Sequence, residues 1–192
     1  DYESALDYQE RSLAISKELG DKRGIGGSLN NIGIMHVNKG DLDKALDYYN
    51  SSSKITEELG NKSDIGEILN NIGLVHVRKG DYEKGLDYQE RSLAIRNELG
   101  DKAGMGGNLL NIGNVYNNKG DWDKAQDYYE RSLAIRNELG NKFGMGLTLN
   151  NLGVMYSHKG DYEKAEEYLE KSLVIQKEIG IGSGLLLLTT TY

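Results

Sequence analysis

The chain contains no cysteine and no proline in its 192 residues, and only one phenylalanine and one tryptophan. Without cysteine there is no disulfide, no thiolate nucleophile and no cysteine metal site, and the redox compartment stays open. Without proline, only glycine and capping residues can punctuate helices. Cations are outnumbered: 23 Lys and Arg against 30 Asp and Glu leave a net charge of -7. That balance argues against nucleic acid or an anionic membrane as partner, because both demand clustered positive charge. The Leu185–Leu188 run falls far short of the roughly 20 apolar residues a membrane span needs, and no signal-peptide pattern opens the chain. The first residue is Asp1 and the far end reads "LLLLTTT". One expectation is therefore a piece cut from a longer array.

What is abundant is repetition. "LNNIGIMHVNKGD" at residues 29–41 returns as "LNNIGLVHVRKGD" at 69–81, "LLNIGNVYNNKGD" at 109–121 and "LNNLGVMYSHKGD" at 149–161, a period of 40. Residues 81–120 match residues 121–160 at 25 of 40 positions. A fixed period of this size marks a stacked repeat array, in which each unit contacts its neighbours. The expected division is a half repeat at 1–20, four repeats at 21–60, 61–100, 101–140 and 141–180, and a remainder at 181–192.

Each period reads as two helices. In residues 81–99 apolar or small residues recur three and four apart, as do Ala5, Tyr8, Ser12, Ile15 and Leu19 in the first copy, which predicts an amphipathic helix B. Residues 102–118 carry Met105, Leu109, Ile112 and Tyr116 on one stripe, which predicts helix A. Gly100 with Asp101, and Gly120 with Asp121, supply a left-handed C-terminal glycine followed by an N-cap carboxylate, and Asn61 and Asn141 take the capping place elsewhere. Connections this short make neighbouring helices antiparallel.

Leu152, Gly153, Tyr156, Gly160, Asp161, Tyr162 and Ala165, with Tyr129 and Ser132 at the later aromatic and small positions, form a pattern that resembles the tetratricopeptide repeat. The resemblance spans residues 1–180. Two features depart from it: the usual period is about 34, and the proline that often closes the unit is missing. Forty-residue variants with "LNNLG" and "ERSLAI" wording are similar to those of kinesin light chains, Gα-binding polarity scaffolds and bacterial signalling arrays. The resemblance implies an all-α, right-handed superhelical solenoid of antiparallel helix pairs, with A helices lining a concave groove.

A helical wheel sorts the A helices into arcs. Ile25, Leu29, Ile32 and His36, like Ile65, Leu69, Ile72 and His76, form the stripe facing helix B. Beside it stand the pairs Gly26/Gly33, Gly66/Gly73, Gly106/Gly113 and Gly146/Gly153. A glycine costs ~1 kcal/mol inside a helix, so its recurrence predicts close helix approach. A phosphate-binding loop does not fit, since these glycines follow no strand and lack a lysine-serine partner.

Opposite the buried stripe lie Gly27, Asn31, Ile34 and Asn38; Glu67, Asn71, Leu74 and Arg78; Gly107, Asn111, Asn114 and Asn118; and Leu147, Asn151, Val154 and His158. Asn30, Asn70 and Asn150 flank the ladder of Asn31, Asn71, Asn111 and Asn151. An amide offers donor and acceptor together, which suits the backbone of an extended peptide. The resemblance implies that use on the concave face; the alternative is surface asparagine multiplied by duplication. Arg78 is the only strong cation on these stripes, which argues against a clamp for a terminal carboxylate.

No catalytic constellation is evident, and no enzyme, metal or cofactor is expected. His36 and His76 stand one repeat apart, roughly 9–10 Å by helix-packing distances, too far to share a metal through ~2 Å bonds. They occupy the place of Tyr116 and Tyr156 and read as ring substitutes. The pairs Asp41/Asp43 and Glu57/Glu58 fit capping and solvated faces. Residues 1–19 keep an interior pattern, with Ala5, Leu6, Leu13 and Ile15, and residues 180–192 align with 104–116 as a degenerate helix A carrying Leu185, Leu186, Leu187 and Leu188. These ends predict a second option, head-to-tail self-association into a filament.

Overall fold

The computed structural model describes residues 2–180, and the expected degenerate helix with Leu185–Leu188 lies outside them. Among the described residues the chain is all helix: α1 (Tyr2–Glu18), α2 (Lys22–Lys39), α3 (Leu42–Leu59), α4 (Lys62–Arg78), α5 (Tyr82–Glu98), α6 (Lys102–Asn118), α7 (Trp122–Glu138), α8 (Lys142–Lys159) and α9 (Tyr162–Glu178). The odd-numbered helices are the expected B type and the even-numbered ones the A type. They fall into two compact units that divide at Leu99/Gly100.

The punctuation works as the sequence predicts. Gly40 has φ +88°, a conformation that other residues adopt only with strain. It lets Asp41 N–H reach the His36 carbonyl at 2.9 Å and Gly40 N–H the Val37 carbonyl at 3.1 Å, closing α2. Asp101 then caps α6 by accepting from Gly104 N–H at 2.9 Å, and Asn141 caps α8 in the same way at 2.9 Å. Asp41 departs from the pattern, making no side-chain cap bond.

Each A helix packs most extensively on the B helix that follows it. In unit 1 the core gathers Ala45, Tyr49, Ile68, Ile72 and Val75; in unit 2 it gathers Ala125, Tyr129, Leu152, Met155, Tyr156 and Ala165. The later glycine of each pair sets how closely the helices approach. A Cβ on Gly113 would stand 2.6 Å from the Tyr129 ring, and one on Gly33 2.5 Å from the Tyr49 ring. The earlier glycine has another part. Ser52, Ser92, Ser132 and Ser172, all buried on B helices, donate to the carbonyls of Gly26, Gly66, Gly106 and Gly146 at 2.7, 2.6, 2.7 and 2.8 Å.

Exposed ion pairs bracket each repeat at a spacing of 36: Lys22 with Glu58 at 2.8 Å, Lys142 with Glu178 at 2.9 Å, and Lys62 with Glu98 and Lys102 with Glu138 in the same arrangement. Exposed pairs of this kind contribute little stability individually.

Gly113→Ala forces a methyl into the Tyr129 ring and should destabilise the protein by about 1–3 kcal/mol. Gly107→Ala, where nothing lies within 4 Å, should be neutral or stabilising by up to about 1 kcal/mol. Urea unfolding followed by circular dichroism compares the two, and equal effects would remove close approach as the reason for Gly113.

Candidate interaction face

The A helices carry the site residues singled out in the sequence. In unit 1, Asn31, Ile34, Asn38 and Arg78 are exposed, while Asn70, Asn71 and Leu74 are half-buried. In unit 2, Asn118 and His158 are exposed, and Asn111, Asn114, Asn151 and Val154 are half-buried. Asn30 and Asn150 differ from the flanking role expected of them. At 8% and 4% exposure they are buried.

The asparagines also bond to one another. In unit 1, Asn71 Nδ2 donates to Asn30 Oδ1 at 3.1 Å, and Asn30 Nδ2 donates to Glu67 Oε1 at 2.9 Å, so two amides and a carboxylate tie α2 to α4. Asn31 Nδ2 reaches Gln9 Oε1 on α1 at 3.3 Å. In unit 2, Asn114 Oδ1 accepts from both Asn151 Nδ2 and the buried Tyr129 hydroxyl, each at 2.8 Å. Burial pushes the Tyr129 phenol pKa upward, which keeps it neutral and able to donate. The asparagine rows are therefore seams between successive A helices as well as a polar surface.

Gln9, Glu67 and Tyr129 belong to these networks but stand on other helices or interrupt the asparagine pattern. The sequence signal for Tyr129 was the aromatic that precedes each buried serine in α3 and α7, and Glu67 stood on the stripe opposite the buried one; Gln9 gave none. A larger hollow of 740 Å³ in unit 2, among Leu133, Met145, Leu149 and Val174, contains no residue expected on the face. It depends on apolar side chains from three helices and has no local signature.

The two buried-stripe histidines stack on tyrosines: His36 on Tyr48 with centroids 5.2 Å apart, and His76 on Tyr88 at 5.5 Å. Tyr116 and Tyr156 pair with Tyr128 and Tyr168 in the same way, at 5.5 and 5.4 Å. Histidine thus fills a ring position. Burial lowers the His76 pKa, against the nearby Asp81 carboxylate, which raises it. Asp43 pairs with Lys79, and Glu58 with Lys22. Among the described residues no three His, Cys, Asp or Glu side chains are grouped to hold a metal ion, and no helix is long and apolar enough to cross a membrane.

Tetratricopeptide repeat models match residues 1–58 and 105–178, and a further one matches residues 66–99. The chain belongs to the tetratricopeptide repeat family. Its fold is accordingly an all-α helical-repeat solenoid. The crystal structure of BtubC (BKLC) from P. vanneervenii is similar at 26% identity and a TM-score of 0.82, covering 94% of this chain and 75% of that one. The nearly identical TPR-like repeats of a candidate kinesin light chain from Podosopora anserina align at 14% identity and a TM-score of 0.71, covering 93% and 88%. Aspartyl phosphate phosphatase F from Bacillus subtilis aligns at 16% identity and a TM-score of 0.86, covering 94% of this chain and 47% of its own. Among curated protein sequences none matches.

The seam predicts a division of labour among the asparagines. Asn114→Ala strands the Tyr129 hydroxyl and should cost about 1–3 kcal/mol, whereas the exposed Asn118→Ala should stay within about 0.5 kcal/mol of the parent. Midpoints of urea unfolding distinguish them, and an Asn114 variant as stable as the parent would deny the seam its structural part.

Proposed function

We propose that this tetratricopeptide repeat protein is a non-enzymatic interaction scaffold that binds an extended peptide segment on the asparagine-lined face of its A helices. The observation that carries this reading is the pairing of amides with apolar footholds. Within unit 1, Asn31, Asn38 and Asn71 accompany Ile34 and Leu74; within unit 2, Asn111, Asn118 and Asn151 accompany Val154. Ile34 is 37% exposed, which gives a ligand apolar area to cover. An amide already bonded to its neighbour is held in one rotamer, so less side-chain freedom is lost when a peptide backbone docks against it. Arg78 supplies cationic character on unit 1. A solved neighbour of similar fold, a Rap protein, is described in complex with Competence and Sporulation Factor, at 16% identity and a TM-score of 0.73. It supports the fold's suitability for a bound partner and nothing about which partner this chain takes.

Peptides recovered from a random display library against the intact chain provide the probe. Asn71→Ala with Asn151→Ala should weaken such peptides by about tenfold, a loss of about 1.4 kcal/mol, with helicity unchanged by circular dichroism. Unaltered affinity would remove the asparagines from the binding face.

A second reading, head-to-tail self-association, rests on α1 and the residue just past it, where Tyr8 and Ile15 on the helix and Leu19 beyond its end are 68%, 56% and 76% exposed. Ala5, Leu6 and Leu13, the residues expected to form this assembly end, are half-buried, so Tyr8, Ile15 and Leu19 provide the free apolar area. Light scattering across a hundredfold dilution tests it. A constant monomer mass excludes self-association, and a mass that climbs with concentration and returns to monomer on Ile15→Asp supports it.

A further inference from the structure

Beside the asparagine seam of unit 1, a pocket of 290 Å³ opens where α2, α3 and α4 meet. Its walls include Gly26 and Asn30 of α2, Thr56 of α3, and Asp64 and Glu67 of α4, with Arg23 at the same opening. Asp64 accepts a hydrogen bond from Asn61 Nδ2 at 2.6 Å, and Glu67 accepts one from Asn30 Nδ2 at 2.9 Å. Each carboxylate therefore spends one acceptor locally and keeps others available.

Unit 2 contains the same three-helix junction two periods later, and there the space is filled. Gly26, Thr56 and Asp64 correspond to Gly106, Arg136 and Gly144. Arg136 crosses from α7 with its Nη2 3.4 Å from the Gly106 carbonyl. Its guanidinium lies so close to Gly144 that a Cβ there would be 2.4 Å from Nη1. The side chain is only 9% exposed and its Nε has no hydrogen-bond partner. Burial accordingly lowers its pKa, as expected for a cation taken from water without a counter-charge.

Unit 1 changes both members of this pair. Thr56 withdraws the long cationic side chain, and Asp64 puts a carboxylate at the position against which the guanidinium rests. Glu67 adds a second carboxylate where unit 2 has Leu147. One junction encloses a guanidinium with no carboxylate bonded to it, and the other has two carboxylates and a space that the guanidinium has vacated. Arg23 offsets one of the two negative charges and leaves the site net negative.

We infer that the unit 1 pocket binds the side chain of an arginine, supplied by a peptide lying on the A-helix face; this rests on the peptide-binding reading above. A planar guanidinium offers five donors in a fixed fork. Asp64 and Glu67 can each take a charge-assisted bond, which is stronger than its neutral counterpart. The site would thus select sequence, whereas the asparagines contact backbone of any sequence.

Nα-acetyl-arginine amide, titrated into the ¹⁵N-labelled intact chain and followed by NMR, is the direct probe. The Gly26, Gly27 and Asp64 amide signals should shift and saturate. The citrulline analogue, equal in shape but neutral, should bind at least about tenfold more weakly, the ratio expected for losing one charge-assisted hydrogen bond. Thr56→Arg with Asp64→Gly reproduces the arrangement unit 2 already accommodates, and it should abolish the shifts while the rest of the spectrum holds. Equal binding of citrulline, or shifts that persist in the double variant, would overturn the pocket. Display-selected peptides that perturb the Asn71 and Leu74 amides, beside an arginine amide that shifts nothing, would refute the pocket and leave the peptide-binding face standing. The reverse result would keep the guanidinium site and remove the peptide as its bearer.

Discussion

The helix pairs depend on how closely an A helix approaches the B helix that follows it. Gly33 and Gly113 admit tyrosine rings where a methyl would clash, Gly73 lies against Gln89, and Gly153 admits Leu169. With the helices that near, the serine about one turn beyond the residue packed on the glycine can reach a backbone carbonyl already engaged within its own helix. A larger residue at the glycine would push the pair apart and lengthen these bonds of 2.6 to 2.8 Å. A buried hydroxyl without its acceptor costs more than the bond itself contributes. Glycine and serine therefore form one device, even though they stand on different helices.

Under the proposed peptide-binding function, structure and recognition make competing demands on the asparagines. An amide bonded to a neighbouring amide is oriented but partly occupied, and one left wholly free is available but mobile. Unit 1 uses Asn30 as a buried bridge and sets Asn31 outward. Unit 2 routes the same economy through Asn114 and Tyr129. Adjacent asparagines on one helix point to different arcs, so one can be buried in the seam while its neighbour stays exposed.

Most of the fold was legible because the repeat restates its own grammar. The period, the helix pairs, the glycine stops and the ring positions of His36 and His76 all follow from spacing alone. The burial of Asn30 and Asn150 did not, because a wheel places a residue by angle and cannot register how near the next A helix comes. The serine bonds left a trace in the small residue kept at Ser52, Ser92, Ser132 and Ser172. A carbonyl acceptor, however, has no side chain and leaves no mark in a sequence. The contrast between Thr56 with Asp64 and Arg136 with Gly144 was visible as letters, but it acquired meaning only when the three helices were seen to enclose one space.

The contacts from glycine to ring and from serine to carbonyl lie inside one A–B pair, and near-identical wording surrounds every pair. A genetic exchange that removes or adds 40 residues would rejoin like to like, since the caps, stops and ion-pair brackets on either side of the break are the same. Length in such a protein is open to selection in whole periods. The few positions that differ between copies, Thr56 and Asp64 among them, are where a gained or lost period would change the space that three helices enclose.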